Sequence, residues 1–295
     1  MRDVSSKVET LMEAMPYLQK YAGKIIVIKY GGNAMINEEL KNAVMHDVVM
    51  LKLLGMKPVL CHGGGPNINS MLTKLDIPVK FVGGLRYTSK EIMEVVEMVL
   101  MGQVNIELTG FINKLGGKAV GLSGVSGNIY HCHQRSPELG FVGEVDQVNT
   151  EPVLALLDAG YIPVIAPDGT DGLGNTYNIN GDTAAGKLAG ALGAEKLVLL
   201  TDIEGLCNDI KIRDVISYLN ISDVPMLKEW GVIAGGMIPK VDCCVDAIRE
   251  GVGSVHIIDG RKPHSILYDA FTDEGTGTTV GTAQPSKGIK DPNEI

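Results

Sequence analysis

Short runs of apolar, often β-branched residues alternate with helical patterns along most of this chain. The first run, KIIVIKY from residue 24, is typical of a strand that is buried on both faces. A helical pattern that ends at Gly55 comes next, and KPVLC is then the following strand. Repetition of this order predicts an α/β fold, a three-layer αβα sandwich around a mostly parallel central sheet.

The same patterns divide the chain into three parts. Residues 1–22 are predicted to form an N-terminal helix and residues 23–282 a single α/β domain. Two lobes of this domain are expected to meet near residue 175. Residues 283–295 are polar and contain proline, so they are predicted to be disordered.

Composition excludes several classes of protein. A net charge of −9 over 295 residues argues against nucleic acid as a main partner, because phosphate binding favours a basic face. Five cysteines without a CxxC spacing indicate reduced thiols and a cytoplasmic protein. The N-terminus lacks the apolar core of a signal peptide, and no run approaches about 18 uninterrupted apolar residues, so we expect no membrane association.

Two clusters of glycine stand where predicted strands end. Gly31 and Gly32 follow the first strand, and Gly63, Gly64 and Gly65 follow the second. Glycine lets backbone N–H groups approach an anion closely, and ligands of open α/β sheets bind beyond the carboxyl ends of the strands. Neither cluster matches the P-loop or the GxGxxG fingerprint, so the pattern indicates anion binding without the usual nucleotide motifs.

Polar residues recur beside other glycine-rich turns. Lys29 ends the first strand, and GGLRYTS places Arg86 before a helix capped by Thr88 or Ser89. TYNINGD carries an asparagine–aspartate set, and GGMIPK places a lysine in the opening turn of a helix. Each of these has a bland interpretation as a solvated or capping residue, but their recurrence at strand-to-helix turns favours one shared site.

As an ordered set, KYGGNAM, HGGGPNINSML, FVGGLRYT, YNINGDTAAGKLAGALGA, LVLLTDIEGL and GGMIPKVDCCVDA resemble the acetylglutamate kinases of the amino acid kinase family. The resemblance covers about residues 7–282. It implies the amino acid kinase fold and the transfer of a phosphoryl group from ATP to the side-chain carboxylate of N-acetyl-L-glutamate, giving N-acetyl-L-glutamyl 5-phosphate in arginine biosynthesis. The N-terminal lobe would then bind acetylglutamate and the C-terminal lobe ATP.

The resemblance also implies catalytic roles. Lys29 and Lys240 would neutralise the developing charge from two sides, with Mg²⁺ on the donor phosphates. Asp182 would hold both lysines, and the backbone N–H groups of Gly32 and Gly64 would contact the transferred phosphoryl group. No metal ligand of the protein itself is expected.

Binding roles follow from the same motifs. The acetylglutamate site would comprise Gly64, Gly65, Arg86 and Asn178, with Arg86 gripping the α-carboxylate in a bidentate fork. The proposed nucleotide contacts, near TDIEGL, are Thr201, Asp202, Gly205 and Leu206. The segment that follows, residues 207–231, fits the family's pattern loosely.

Both ends of the chain resemble the arginine-inhibited branch of the family. The N-terminal helix, with Pro16 expected to kink or break it, would join dimers into a ring-like homohexamer. Tyr17, Glu274 and Gly277 would contribute to a site for inhibitory arginine. A PII-type signalling protein is a partner of some family members.

Three alternatives remain open from the sequence. The chain could be another amino acid kinase, acting on glutamate, aspartate, carbamate or a nucleotide. It could be a catalytically silent amino-acid sensor, although retention of Lys29, Asp182 and Lys240 together argues against this. An oxidoreductase on a doubly wound sheet is the third, and it lacks its glycine fingerprint.

Overall fold

A computed structural model describes residues 4–35, 37–208, 214–272 and 276–290. An eight-stranded sheet forms its centre, in the order β12-β14-β13-β11-β1-β2-β8-β5. Neighbouring strands are parallel, apart from the antiparallel pair β13 and β14. The described strands are β1 (Ile25–Tyr30), β2 (Lys57–His62), β3 (Phe81–Val82), β4 (Leu85–Arg86), β5 (Ala119–Leu122), β6 (Tyr130–Gln134), β7 (Gly143–Val148), β8 (Ile162–Ile165), β9 (Asp168–Thr170), β10 (Thr176–Asn178), β11 (Lys196–Thr201), β12 (Tyr218–Asn220), β13 (Ser254–Asp259) and β14 (Thr278–Gly281).

Helices cover both faces of this sheet, which confirms the predicted three-layer α/β architecture. Alternate residues of β1 enter two separate hydrophobic clusters: Ile26 and Ile28 one, Val27 the other. A strand covered on both faces is apolar at nearly every position, which explains the continuous run in the sequence. The described helices are α1 (Val4–Tyr21), α2 (Glu38–Leu53), α3 (Gly65–Lys74), α4 (Lys90–Val99), α5 (Ile106–Lys114), α6 (Glu151–Asp158), α7 (Gly181–Ala191), α8 (Val224–Glu229), α9 (Met237–Arg249) and α10 (Ser265–Phe271).

Two smaller sheets lie beside the central one. β6 and β7 form an antiparallel hairpin and continue into β9 and β10. The other is the two-stranded β3–β4 ribbon, which ends in Arg86. Ser89 caps α4 through its side chain, as one of the two predicted alternatives required. The ribbon and this cap fix the direction in which the chain leaves Arg86.

The helix α1 runs through Pro16, so the expected break is wrong, while a kink at this proline stays a prediction. The apolar side chains of this helix have two different surroundings. Tyr17 and Leu18 pack against the core, whereas Leu11 and Met12 are 65% and 61% exposed. One half of the helix is therefore fixed to the domain, and the other half presents apolar side chains outward.

Within the described residues, the stretch Lys90–Lys114 meets the length and composition of a membrane span. It comprises α4, a π-helical turn and α5, and 44% of its most apolar window is buried inside the protein. Leu100, Val104 and Leu108 belong to the hydrophobic core. This burial is typical of a core helix.

The C-terminal segment differs from the prediction as far as it is described. Ser286 accepts a hydrogen bond from the backbone of Asn220 and donates one to Asp223. Lys287 pairs with Tyr218 through both backbone groups, at 2.8 and 3.4 Å. Residues 283–290 thus lie against β12, because that edge strand has backbone groups available for pairing. The predicted disorder of residues 291–295 lies outside the described residues.

Candidate active site

The two glycine clusters meet at one rim of the central sheet. β1 and β2 are adjacent and parallel, so both clusters follow the same edge. The N–H of Gly63 donates to the carbonyl of Tyr30 at 2.7 Å, which ties one cluster to the other. Between them lies a cavity of about 290 Å³. Predicted residues among those lining it are Lys29, Gly32, Gly64, Gly65, Arg86 and Asn178.

The Lys29 side chain passes directly over Gly31. A Cβ atom at Gly31 would lie 2.9 Å from the Lys29 ammonium nitrogen, so a side chain here would push Lys29 out of its position over the rim. Gly32 differs, since its φ of +69° lies in the left-handed region that favours glycine. The two glycines therefore have separate reasons, one steric and one conformational.

Asp182 joins the two predicted lysines, although they are more than 200 positions apart. Its Oδ1 lies 2.9 Å from Lys29 Nζ and its Oδ2 lies 2.6 Å from Lys240 Nζ. The three side chains are between 14% and 19% exposed. β1, α7 and α9 each contribute one member, so the cluster exists only in the folded chain.

Electrostatics fix the charge state of this cluster. Burial raises the pKa of Asp182, but Lys29 and Lys240 together outweigh it, so that pKa lies well below its ordinary value. Burial lowers the pKa of Lys240, and the Asp182 carboxylate more than compensates, so this pKa is raised. Two ammonium groups around one carboxylate leave a net positive charge, which suits an anionic phosphoryl group.

Arg86 occupies another part of the cavity. It is 8% exposed, and its guanidinium carbon lies 5.0 Å from the Phe81 ring centroid. Nη2 donates a long bond of 3.4 Å to the carbonyl of Gly65, while the buried Nη1 has no hydrogen-bond partner among the described residues. A buried guanidinium without a carboxylate calls for an anionic ligand, since an unpaired buried donor is costly.

Asn178 lies on the same wall and donates to Thr88 Oγ1 at 3.2 Å. The residue ends β10 in the small sheet, and its backbone N–H donates to the carbonyl of Phe141. Asn180 caps α7 by accepting from the N–H groups of Asp182 and Thr183. The short loop from Asn178 to Asp182 therefore holds both ends of the site.

A second cavity, of about 410 Å³, lies beyond the end of β11. Asp202, Gly205 and Leu206, which are three of the four residues proposed from the sequence as nucleotide contacts, line this cavity. Thr201 does not, because its hydroxyl donates inward to the carbonyls of Ile203 and Ile258. Both cavities adjoin at Gly32, where an added Cβ would lie 3.1 Å from an Asp202 carboxylate oxygen.

Known proteins resemble this chain along nearly its whole length. A model of the amino acid kinase family matches residues 24–259. The acetylglutamate kinase of Heliobacterium modesticaldum is 53% identical over 287 residues, which is 93% of this chain and 97% of that relative. The acetylglutamate kinase of Clostridioides difficile is 52% identical over 276 residues, or 93% and 96% of the two chains. The chain belongs to the amino acid kinase family. Its relatives within that family place it among the acetylglutamate kinases.

The fold of this amino acid kinase is shared more widely. N-acetylglutamate synthase from Neisseria gonorrhoeae superposes with a TM-score of 0.82 at 24% identity. The match covers 94% of this kinase but only 64% of the synthase chain, which is longer. At that identity the likeness concerns the fold alone.

Some residues around the first cavity were not identified from the sequence. Phe81 stacks on the Arg86 guanidinium, and Leu100 contacts Gly64 from the neighbouring helix. His62 and Asn105 form a buried hydrogen bond behind the glycine cluster. A phenylalanine before GGLR was the only available signal for Phe81. The other contacts join segments about 40 residues apart, so no local pattern reveals them.

The residues expected at the arginine site are only partly described. Tyr17 packs against the core cluster that includes Tyr21. Gly277 has a φ of +100°, and a Cβ there would lie 2.1 Å from the carbonyl oxygen of Ile257, which gives this glycine a structural reason. Glu274 lies outside the described residues.

Proposed function

We propose that this kinase transfers the γ-phosphoryl group of ATP to the side-chain carboxylate of N-acetyl-L-glutamate through the Lys29–Asp182–Lys240 cluster. The main support is the position of this cluster beside a cavity that is also lined by the buried Arg86, whose Nη1 has no hydrogen-bond partner among the described residues. The two lysines of the cluster suit the reacting phosphoryl group, and Arg86 suits the α-carboxylate of the substrate. Support for the substrate comes from the acetylglutamate kinases at about half identity.

The acceptor needs no general base, because a carboxylate is already ionised near neutral pH. What remains is alignment of the donor and acceptor and neutralisation of charge on the transferred group. Lys29 serves this from β1 and Lys240 from α9, and Asp182 keeps them from repelling each other. The N–H groups of Gly32 and Gly64 add donors without the bulk of a side chain.

ATP occupies the second cavity in this proposal, with its phosphates directed to the junction at Gly32. Asp202, Gly205 and Leu206 provide its walls, and Thr201 acts only by shaping the turn. Among the described residues, no group of three or more His, Cys, Asp or Glu side chains is placed to hold a metal ion. In this proposal Mg²⁺ arrives on the phosphates of ATP, where it neutralises charge on the donor.

Formation of ADP from ATP and Mg²⁺ tests this assignment, with N-acetylglutamate compared against free glutamate, aspartate and carbamate. We expect turnover with N-acetylglutamate and little with glutamate. Free glutamate carries a positive α-ammonium group where the acetylated substrate has a neutral amide. Turnover with glutamate alone would identify another amino acid kinase. No turnover with any carboxylate would contradict the enzyme and favour an amino-acid sensor.

Regulation by arginine and assembly into a homohexamer form the second part of the proposal. The exposed apolar residues of α1 support an intermolecular role for this helix. In this proposal, Tyr17, Glu274 and Gly277 belong to the arginine site, and the enzyme acts in the cytoplasm, where cysteine thiols stay reduced. Size-exclusion chromatography with light scattering, with and without arginine, tests the assembly. Adding a PII-type protein to the same experiment tests that partner.

A further inference from the structure

A π-helical turn, Leu100–Asn105, interrupts the long helix behind the glycine cluster. Such turns are rare in proteins, and many of those that do occur lie at functional sites. Both ends of this one reach Gly64 or its neighbours. A Cβ at Gly64 would lie only 2.6 Å from Leu100 Cδ2, so Leu100 already packs against the Gly64 backbone. At the other end, Asn105 is 1% exposed and turns its side chain toward the sheet.

The amide of Asn105 is oriented by its partners. Nδ2 lies 2.9 Å from the carbonyl oxygen of Val164, which can only accept a hydrogen bond. The same nitrogen lies 3.0 Å from His62 Nε2. Because Asn105 donates there, Nε2 of His62 must be the acceptor, and the ring proton must reside on Nδ1.

His62 connects Asn105 to the glycine cluster through its other ring nitrogen. Its Nδ1 lies 2.8 Å from the carbonyl oxygen of Gly63, to which it donates. Burial lowers the pKa of His62 to about 4, so the ring remains neutral at physiological pH and a single tautomer is fixed. The chain of bonds therefore runs from Val164 through Asn105 and His62 to the Gly63 carbonyl.

That carbonyl and the N–H of Gly64 belong to one planar peptide group and point in opposite directions. On the other side of Gly63, its own N–H is held by the Tyr30 carbonyl at 2.7 Å. Glycine offers no side chain to restrain this peptide, so hydrogen bonds must do so. Gly64 lines the cavity, and its N–H has no acceptor among the residues that the structure describes.

We propose that His62 and Asn105 are positioning residues that lock the Gly63–Gly64 peptide with the Gly64 N–H directed at the transferred phosphoryl group. This inference rests on the proposed function for its chemistry, and on the hydrogen bonds for its geometry. The simpler alternative is that His62 and Asn105 only satisfy one another in the core. That alternative predicts a loss of stability without a specific loss of kcat.

Two substitutions of His62 separate these interpretations. His62→Asn places an amide nitrogen where Nδ1 lies and can still donate to Gly63, whereas His62→Gln places its nitrogen near Nε2 and cannot. We expect His62→Gln to lower kcat about tenfold or more with KM for N-acetylglutamate little changed, since losing a whole donor of this kind costs about 100- to 1000-fold. His62→Asn should keep most of kcat, and equal losses in both variants would overturn the proposal.

Nitrogen NMR of ¹⁵N-histidine protein tests the bonds without any substrate or substitution at His62. We expect the His62 proton on Nδ1 in the unaltered kinase and a mixture of tautomers in Asn105→Ala. A proton on Nε2 of His62 in the unaltered kinase would overturn the proposed positioning role. A kinase without turnover would instead contradict the proposed function. A proton on Nδ1 in that inactive sample would still support the hydrogen bonds from Asn105 through His62 to Gly63, so the two failures are distinguishable.

Discussion

One carboxylate, Asp182, sets the charge arrangement of the proposed catalytic cluster. Its two oxygens each face a different lysine, so neither ammonium group is free to reorient toward the other. The Asp182 backbone carbonyl also accepts a weak bond from the Cys243 thiol at 3.1 Å, which ties α7 to α9. The pairing therefore links three elements through one residue.

Replacing Asp182 with asparagine should abolish this arrangement while keeping the shape of the side chain. We expect kcat to fall about 100-fold or more, because two unscreened lysines repel each other and leave their positions. Steady-state ADP formation measures the effect. Asp242→Asn is the matched control on α9, since Asp242 pairs with Lys228 at the surface and should leave kcat unchanged. A normal kcat for Asp182→Asn would contradict the proposed role.

Arg86 should determine how tightly the acetylated substrate binds. Arg86→Lys keeps the charge but loses the planar fork, so we expect KM for N-acetylglutamate to rise about 10- to 100-fold with a smaller change in kcat. Arg135→Lys, at the half-exposed pair with Glu144, is the control. An unchanged KM in Arg86→Lys would remove the guanidinium from the substrate site.

At the scale of elements, α1 shows how one helix can serve two surroundings. Its C-terminal half joins the core through Tyr17 and Leu18, and Lys196 lies 5.1 Å from the ring centroid of Tyr21. The other half exposes apolar residues, which a soluble surface seldom gathers without a partner. This division is the structural support for a role between subunits.

Leu11→Glu with Met12→Glu should therefore separate assembly from catalysis. Burying two carboxylates in an apolar contact is unfavourable, so we expect a smaller particle by light scattering and a loss of the arginine response. Basal kcat should remain within about twofold, since surface changes away from the site have small effects. Leu173→Glu, at a residue that is 87% exposed, provides the control. A hexamer that survives both changes on α1 would contradict the proposal.

At the scale of the whole molecule, buried neutral histidines should make stability depend on pH. Burial lowers the pKa of His62 to about 4, and burial also lowers the pKa of His256. In the unfolded chain each ring binds its proton near pH 6.5. The folded state thus holds fewer protons than the unfolded state below that pH, so stability must fall as the solution is acidified.

For His62, this loss starts near pH 6.5 and is complete near pH 4, where the folded state also binds the proton. Its size is about 3 kcal/mol, from roughly 1.4 kcal/mol for each pKa unit. Urea unfolding between pH 7.5 and pH 4 measures this loss. Removing the titrating ring in His62→Asn should flatten this slope, and an unchanged slope would show that other groups control the acid sensitivity.

The fold class follows from short-range patterns. Continuous apolar runs identified buried parallel strands, and the glycine clusters identified the rim where Lys29 lies. Both patterns depend on residues only a few positions apart in the chain. The roles of Asp182 and Lys240 came from a family resemblance. Asp182 lies on α7, which packs against β1 and leads into the neighbouring strand β11, although residues 31–195 separate β1 and β11 in the sequence. Lys240 lies on α9, which packs against α7.

Tertiary structure decided what local patterns could not. Pairing of residues 283–290 with β12 overrode a polar composition, and α1 continues through Pro16, where the sequence predicted a kink or a break. The hydrogen bonds of His62 join segments that only the fold brings together. A sequence determines periodicity, turns and charge locally, but the partner of a buried polar group depends on where distant elements pack, and only the folded chain specifies that.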